Sequence, residues 1–359
     1  MNSAPAGAAA MDAWPEGGLE SVPTCPACGG KDRELLHPGL RDRLFRCAPG
    51  EWNLFRCRDC GTGYLDPRPN RATIGLAYSS YFTHVCAGGA VERPGSWWRR
   101  FRTAQRNAYL NAHYGYQLTP AQPRSPRWLS TERRLRFDKF TGYLRYPGKG
   151  ARLLDVGCGN GIFLLQLRSL GWDVAGVEPD PKSAAAAAAA GLNVRVGVLE
   201  EQSLPDDHYD AITLSHVLEH LHQPRETLRF CRRILKPGGT LYVATPNFGA
   251  AGHRRFGSDW FPLDPPRHLV LFTPDSLKRL FKSTGFMPEP GVRLRLAAKE
   301  MFKRSTFLQN GLDPMGQKPG LPAMTRLKSR WLAWQADRAT RRNPELAEEL
   351  VLLAHRPGS

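Results

Sequence analysis

The densest chemistry in the sequence lies in the run LLDVGCGNG at 153–161. An apolar stretch ending in three alternating glycines, Gly157, Gly159 and Gly161, predicts a buried strand that turns sharply into a helix. Glycine in such a turn lets a ligand approach the backbone, and the following helix N-terminus offers free amide donors. The spacing is G-x-G-x-G, not the dinucleotide fingerprint G-x-G-x-x-G. Asp155, two residues before the first glycine, would repel a pyrophosphate but suits the amino group of a methionine-like moiety. The loop therefore reads as a site for S-adenosylmethionine rather than a nicotinamide dinucleotide. Glu178 ends the next apolar run, where a carboxylate can accept both ribose hydroxyls of an adenosine. Glu200 follows the third run, near the expected adenine edge, with a solvated surface carboxylate as an equal alternative. Ser215 closes the fourth run and borders the same site.

Four of the eight cysteines carry a second chemistry: Cys25, Cys28, Cys57 and Cys60 form the pattern C-x2-C-x28-C-x2-C. Two such turns aim four sulfurs at one tetrahedral ion, and the glycine after each pair (Gly29, Gly61) suits the left-handed backbone of the turn. A structural zinc is expected there, with no position left for water. Cys47, Cys86, Cys158 and Cys231 lack this pairing and read as small apolar residues.

Proton transfer needs an imidazole or carboxylate near the acceptor. The run SHVLEHL at 215–221 supplies His216, Glu219 and His220; PRHL at 266–269 supplies His268. His216 and His220 are four apart and would share one face of a helix. His220 is the preferred general base, with His268 and Arg267 expected to meet the acceptor, Arg267 orienting an anionic group. Each of these side chains has a purely structural alternative. Trp260 and Phe261 read either as packing or as an apolar, sugar-stacking wall.

The elements that must position these groups are legible from 151 onward. Apolar runs at 151–157, 173–179, 192–197, 209–215 and 239–245 alternate with helical stretches near 161–170, 180–190, 217–235 and 274–284. That is the signature of a parallel sheet with crossover helices. PGG at 237–239 predicts a sharp turn into the fifth strand, and 348–355 a strand closing the sheet. The organisation expected is a disordered tail (1–22), a zinc ribbon (23–68), a basic helical connector (69–146) and an α/β domain (147–359). That last domain carries a lid at 246–273 and a basic insertion at 291–345.

Composition limits the partners. Of 359 residues, 41% are apolar and 23% charged, a globular balance. No apolar run reaches the ~20 residues of a membrane helix. The start lacks the basic and apolar regions of a secretory signal, so a cytoplasmic protein is expected. The net charge of +17 is concentrated in two segments, +11 over 93–150 and +8 over 291–345. Such segments suit phosphate, nucleic acid or a lipid headgroup surface as well as plain solvation.

Taken together, LLDVGCGNG, the strand end at Glu178, VLEHL at 217–221 and LKPGG at 235–239 resemble class I S-adenosylmethionine-dependent methyltransferases over roughly 150–290. TPN at 245–247 and WFPLDPPRHLVLFT at 260–273 resemble bacterial methyltransferases of polysaccharide and natural-product pathways. The four-cysteine segment is similar to that of sugar C-methyltransferases, whose further C-terminal domain has no counterpart here. The resemblance implies a Rossmann-like α/β fold with helices on both faces, S-adenosylmethionine as cofactor and transfer of one carbon. The acceptor expected is a hydroxyl on a glycan or small metabolite, phosphate- or lipid-linked in keeping with the basic flanks, and peripheral membrane contact is compatible with those flanks. Two other readings stay open: an RNA methyltransferase gripping its substrate with the ribbon and connector, and a catalytically silent zinc-containing binding module.

Overall fold

The computed structural model describes residues 13–79, 97–125, 128–146, 148–314 and 320–358. Cys86 and the first twelve residues of the expected tail lie outside them. Two sheets organise the molecule, a small one that joins N-terminal strands to a distant strand and a large one built from residues 152–355.

The first sheet is small and antiparallel: β2 (Arg33–Leu40), β3 (Trp52–Cys57) and β4 (Gly63–Leu65) form a meander. A distant strand, β11 (Val270–Leu271), pairs with β4 and completes it. Residues 13–22, expected as part of a loose tail, are ordered. β1 (Leu19–Glu20) pairs with β5 (Arg68–Pro69), and Trp14 packs edge-on against Trp52 with ring centroids 5.3 Å apart. Their apolar side chains had a partner that local sequence could not reveal.

The second sheet has seven strands: β6 (Arg152–Val156), β7 (Asp173–Glu178), β8 (Asn193–Val196), β9 (Tyr209–Ser215), β10 (Leu235–Pro246), β12 (Met287–Pro288) and β13 (Glu349–His355). Their order is β12-β13-β10-β9-β6-β7-β8, parallel except where β13 runs antiparallel to both β10 and β12. The terminal strand therefore inserts between two others instead of closing an edge. Helices α3 (Ile162–Arg168), α4 (Pro181–Ala189) and α5 (Pro224–Ile234) make the crossovers, and α7 (Pro274–Ser283) precedes β12. The cores on the two faces are distinct, one around Leu154, Ile212 and Leu352, the other around Leu153, Leu164 and Val351. Both β6 and β13 are buried almost throughout, and successive side chains fall alternately into the two cores, as the two-residue period of a strand requires.

Two local expectations change. The helix expected over 217–235 starts only at Pro224, after a single 3-10 turn at Leu218–His220. Proline suits the first turn of a helix, where its missing N–H costs nothing. PGG does not separate two elements. It is an irregularity inside β10, whose register to β9 shifts between Leu235 and Thr240, with Gly238 at φ +76°.

Helices α1 (Trp97–Tyr114) and α2 (Thr131–Thr141) precede the large sheet. After β10 come α6 (Ala251–Phe256) and, in the basic insertion, α8 (Ala298–Gln309) and α9 (Ala323–Arg342). A third core joins this region to the small sheet, bringing Trp52 and Leu65 against Trp260, Phe302 and Ala336. Among the described residues no helix is long and apolar enough to cross a membrane.

Candidate functional site

Parallel pairing brings the strand ends to one edge: Val156 is level with Val177 and Leu214, and Ser215 with Ala244. The glycine loop leaves β6 at this edge. The Gly157 amide donates to Val177 O at 2.7 Å, and φ is +68°, +55° and +78° at Gly157, Gly159 and Gly161. The three glycines differ in purpose. A Cβ on Gly157 would lie 2.6 Å from Val217 Cγ2, and one on Gly161 2.3 Å from Leu192 Cδ1. A Cβ on Gly159 would meet nothing within 4 Å. The outer two allow close packing, while the middle one faces open space where a ligand can reach the backbone.

Glu178 ends β7 beside this opening. Its Oε2 accepts from the Gly159 amide at 2.7 Å and its Oε1 from the Asp180 amide at 2.9 Å. Burial raises its pKa despite those donors. Asp155, on β6, accepts from Thr213 Oγ1 at 2.6 Å. Burial pushes its carboxyl up to about 7, with the Glu178 charge adding to the effect. Ser215 sits half-buried at the end of β9. Glu200 is turned to α5, where it accepts from Thr227. Cys158 packs behind the loop, so close to Gly176 that a Cβ there would lie 2.5 Å from its sulfur.

On the same edge, just beyond β9, Glu219 is fully buried and lies near three histidines. His216 sits at φ +56° with its backbone N–H donating to Ala244 O at 2.8 Å. Its Nδ1 donates to Glu219 at 3.3 Å and its Nε2 to Glu349, the first residue of β13, at 3.1 Å. The ring is still partly exposed; lost hydration disfavours its charge, but the two carboxylates overcome that and push His216 up to about 10. Arg295 completes this network through Glu349, at 2.9 and 3.0 Å. His220 does not share a face with His216. Its Nδ1 lies 2.9 Å from Arg267 O and 2.9 Å from the Tyr78 hydroxyl. A carbonyl only accepts, so Nδ1 carries the proton and Nε2 the lone pair. Burial, reinforced by His268, lowers His220 to about 4. The His268 ring stands edge-on to it at 4.7 Å, with its own Nδ1 donating to Pro262 O at 2.7 Å.

The structure reassigns two expected contacts of the lid. Arg267 does not face a ligand; it is wholly buried between Asp42 and Asp264, with Nη2 2.6 Å and 2.5 Å from their carboxylates. Trp260 is 1% exposed, donates to Glu348 at 2.9 Å and forms core rather than a wall. Thr213, Glu349 and Arg295 were not singled out from sequence. The acidic pair Glu348–Glu349 at the mouth of an apolar strand was the one available signal.

The four cysteines converge as their spacing predicted. Their ligand atoms lie within 4.8 Å of one another, with Cys25 and Cys60 sulfurs 3.7 Å apart and Cys28 and Cys57 sulfurs 3.6 Å apart. Tetrahedral zinc with bonds of 2.3 Å separates its sulfurs by about 3.8 Å. The two turns repeat each other: the Gly29 amide donates to Cys25 O at 2.8 Å, and Gly61 to Cys57 O at 2.9 Å. The donor set fits zinc.

Comparison with known proteins bears on the α/β part. The family model described as "Methyltransferase domain" matches residues 128–289. An O-methyltransferase of ubiquinone biosynthesis from Caulobacter vibrioides is 37% identical over 119 residues, covering 31% of this chain and 47% of that protein. The enzyme of the same name from Cereibacter sphaeroides is 30% identical over 154 residues, covering 40% and 62%. The chain thus spans about half the length of the curated relatives it matches. A solved S-adenosylmethionine-dependent methyltransferase from Archaeoglobus fulgidus is 20% identical, with a TM-score of 0.42 over 62% of this chain and 91% of that one. Residues 128–289 thus match a methyltransferase domain, and the sheet with its glycine loop has the Rossmann-like α/β fold of class I S-adenosylmethionine-dependent methyltransferases.

Proposed function

We propose that this protein transfers the methyl group of S-adenosylmethionine to a hydroxyl on a small metabolite or glycan. The observation that carries the reading is the open approach at Gly159, flanked by the carboxylates of Asp155 and Glu178 on one strand-end edge. The names of the relatives, O-methyltransferases of ubiquinone biosynthesis, support oxygen on a small molecule as the acceptor. The cofactor would supply a methyl group already activated on a sulfonium. Asp155 would hold its ammonium, Glu178 its ribose hydroxyls and Ser215 the floor beside the methyl, while Glu200, bonded to Thr227, would face α5 rather than the adenine. Orientation of two reactants can contribute up to ~7–11 kcal/mol.

A hydroxyl acceptor must also lose its proton. His216, charged between two carboxylates, has no lone pair to offer. His220 Nε2 has one, but a pKa of about 4 makes it a weak base alone, since a base works best near the operating pH. The proton therefore leaves at the group formed by Glu219, His220 and His268 acting together. The four cysteines would hold a structural zinc that fastens the small sheet and takes no part in transfer. Free thiols in this number suit a cytoplasmic setting.

The exposed aromatics Trp97, Trp98 and Phe101 on α1, and Trp331 and Trp334 on α9, lie in the two basic segments. Both faces are proposed to meet an anionic acceptor or its carrier. Labelled-methyl transfer from S-adenosylmethionine to phenolic, glycan and RNA acceptors tests the reading. Label in phenolic or glycan hydroxyls supports it; label in RNA alone replaces it with the RNA reading; cofactor binding without transfer to any acceptor favours a silent module. Activity on an anionic acceptor should fall steeply with salt, and a flat profile would make the basic faces merely solvated.

A further inference from the structure

The group at Glu219, His220 and His268 has an unusual hydrogen-bond count. A carboxylate oxygen of Glu219 and one ring nitrogen from each histidine lie within 4.8 Å of one another. Both histidines give their Nδ1 protons to backbone carbonyls, at Arg267 O and Pro262 O. The lone pair of each neutral ring is therefore on Nε2. Glu219 uses Oε1 for His216, while its Oε2 is buried with no hydrogen-bond partner. Asp264 adds a carboxylate oxygen 4.0 Å from His268 Nε2, beyond hydrogen-bond reach, because its other oxygen holds Arg267. Among the described residues Glu219 Oε2 thus has no hydrogen-bond partner, and it belongs to one cluster with two rings that each keep a lone pair. An unpaired buried carboxylate oxygen is costly, and a cation relieves that cost directly.

We infer that Glu219, His220 and His268 form a second metal site, for a borderline divalent cation such as zinc, distinct from the four-cysteine site. Two imidazoles and one carboxylate are the donors of catalytic zinc centres that keep a fourth position open. The second shell such ligands need is already built. Backbone carbonyls fix both histidine tautomers, and His216 holds the far oxygen of Glu219.

The site itself stands without the proposed transfer, but its place in the reaction rests on that reading. An acceptor hydroxyl in the open position would bind the cation through oxygen and lose its proton to solvent, since a coordinated cation lowers the pKa of a bound O–H. The oxygen then forms its bond to the methyl carbon as the carbon–sulfur bond breaks, and that electron pair goes to sulfur, neutralising the sulfonium. Proton, methyl and charge are all accounted for without a strong protein base.

The test uses the full chain stripped of metal, refilled with one equivalent of zinc and titrated with Co(II). A second equivalent should bind and give weak visible bands without the intense near-ultraviolet sulfur-to-cobalt absorption of a thiolate site. His268→Gln, with unchanged circular dichroism and its first zinc retained, should weaken that second equivalent by more than ~100-fold, beyond what loss of an outer-shell partner costs. His220→Gln should do the same, so the conclusion does not depend on one variant folding. Saturation at one equivalent, or a second equivalent untouched in both folded variants, overturns the inference. Methyl transfer by a chain that binds one ion only would leave the proposed function standing while removing the second site. A bound second ion without transfer to any acceptor would do the reverse.

Discussion

Replacing Arg267 by methionine should weaken the fold severely, because its partners lie wholly within the protein. The guanidinium is wholly buried and lies between Asp42, at 2.6 and 3.1 Å, and Asp264, at 2.5 and 2.9 Å, with Ala77 O at 3.0 Å. Removing one partner of a buried ion pair costs about 3–5 kcal/mol, because the other charge stays behind. Asp42 would keep four backbone donors, from Leu44, Phe45, Cys47 and Ala48, at 3.1–3.3 Å. Asp264 would keep none on the oxygen that Arg267 now holds, and can escape only by taking a proton. The loss should therefore fall toward the lower end, about 3 kcal/mol, against a total stability of about 5–15 kcal/mol for an ordinary domain. Arg267→Lys keeps the charge but not the fork and should fall between. Urea unfolding followed by tryptophan fluorescence measures both. Acid sharpens the test. Burial opposes ionisation of Asp42, yet Arg267 holds its pKa below the ordinary 3.8. Its contribution is thus fully present above pH 3.8 and lost as pH falls through the lower folded value. That acid sensitivity should shrink in the methionine variant. A change under about 1 kcal/mol would refute the reasoning, since it would mean that the two carboxylates do not depend on this cation.

Three other outcomes follow from the same geometry. Gly159→Ala should cost about 1–2 kcal/mol for its positive φ yet abolish most cofactor binding, whereas Gly161→Ala should destabilise further through its clash with Leu192; equal stability losses by thermal melting would contradict this. Cofactor affinity measured by calorimetry should rise between about pH 5.5 and 7, up to tenfold per unit, as Asp155 ionises toward its pKa of about 7 to meet an ammonium; an unchanged slope in Asp155→Asn would assign it to another group. Cys57→Ser with Cys60→Ser should remove about one thiolate-bound zinc per chain and lower the melting temperature, because β4 of the cysteine-bearing sheet also carries β11; full zinc in that variant, by elemental analysis, would exclude these ligands.

What was legible in the sequence was written locally. Gly157, Gly159 and Gly161 occupy conformations that few other residues tolerate, so the turn announces itself. The cysteine pairs do so through their spacing, and Glu178 through its place at the end of an apolar run. What stayed hidden depends on contacts across the chain. Asp42 and Arg267 are 225 residues apart, and neither carries a local pattern marking it as buried. Arg267 therefore read as a ligand contact when its partners were already within the protein. The same applies to β11, two residues long, whose pairing with β4 turns the expected lid into part of the small sheet. The four-residue spacing of His216 and His220 puts them on one face only if a helix begins directly after β9. The backbone at His216 instead takes φ +56° and sends the two rings to different partners. Glu349 became part of the site only because β13 inserts beside β10, a topological fact with no local trace.

Glu178 and the Gly159 opening are proposed to bind S-adenosylmethionine. Calorimetric titration of S-adenosylmethionine into the full chain and into Glu178→Ala tests it most directly. One site per chain is expected in the wild type and, from the loss of hydrogen bonds to a charged acceptor worth about 1.5–3 kcal/mol each, at least tenfold weaker binding in the variant. No heat of binding in the folded wild type, or equal affinity in both proteins, would contradict it.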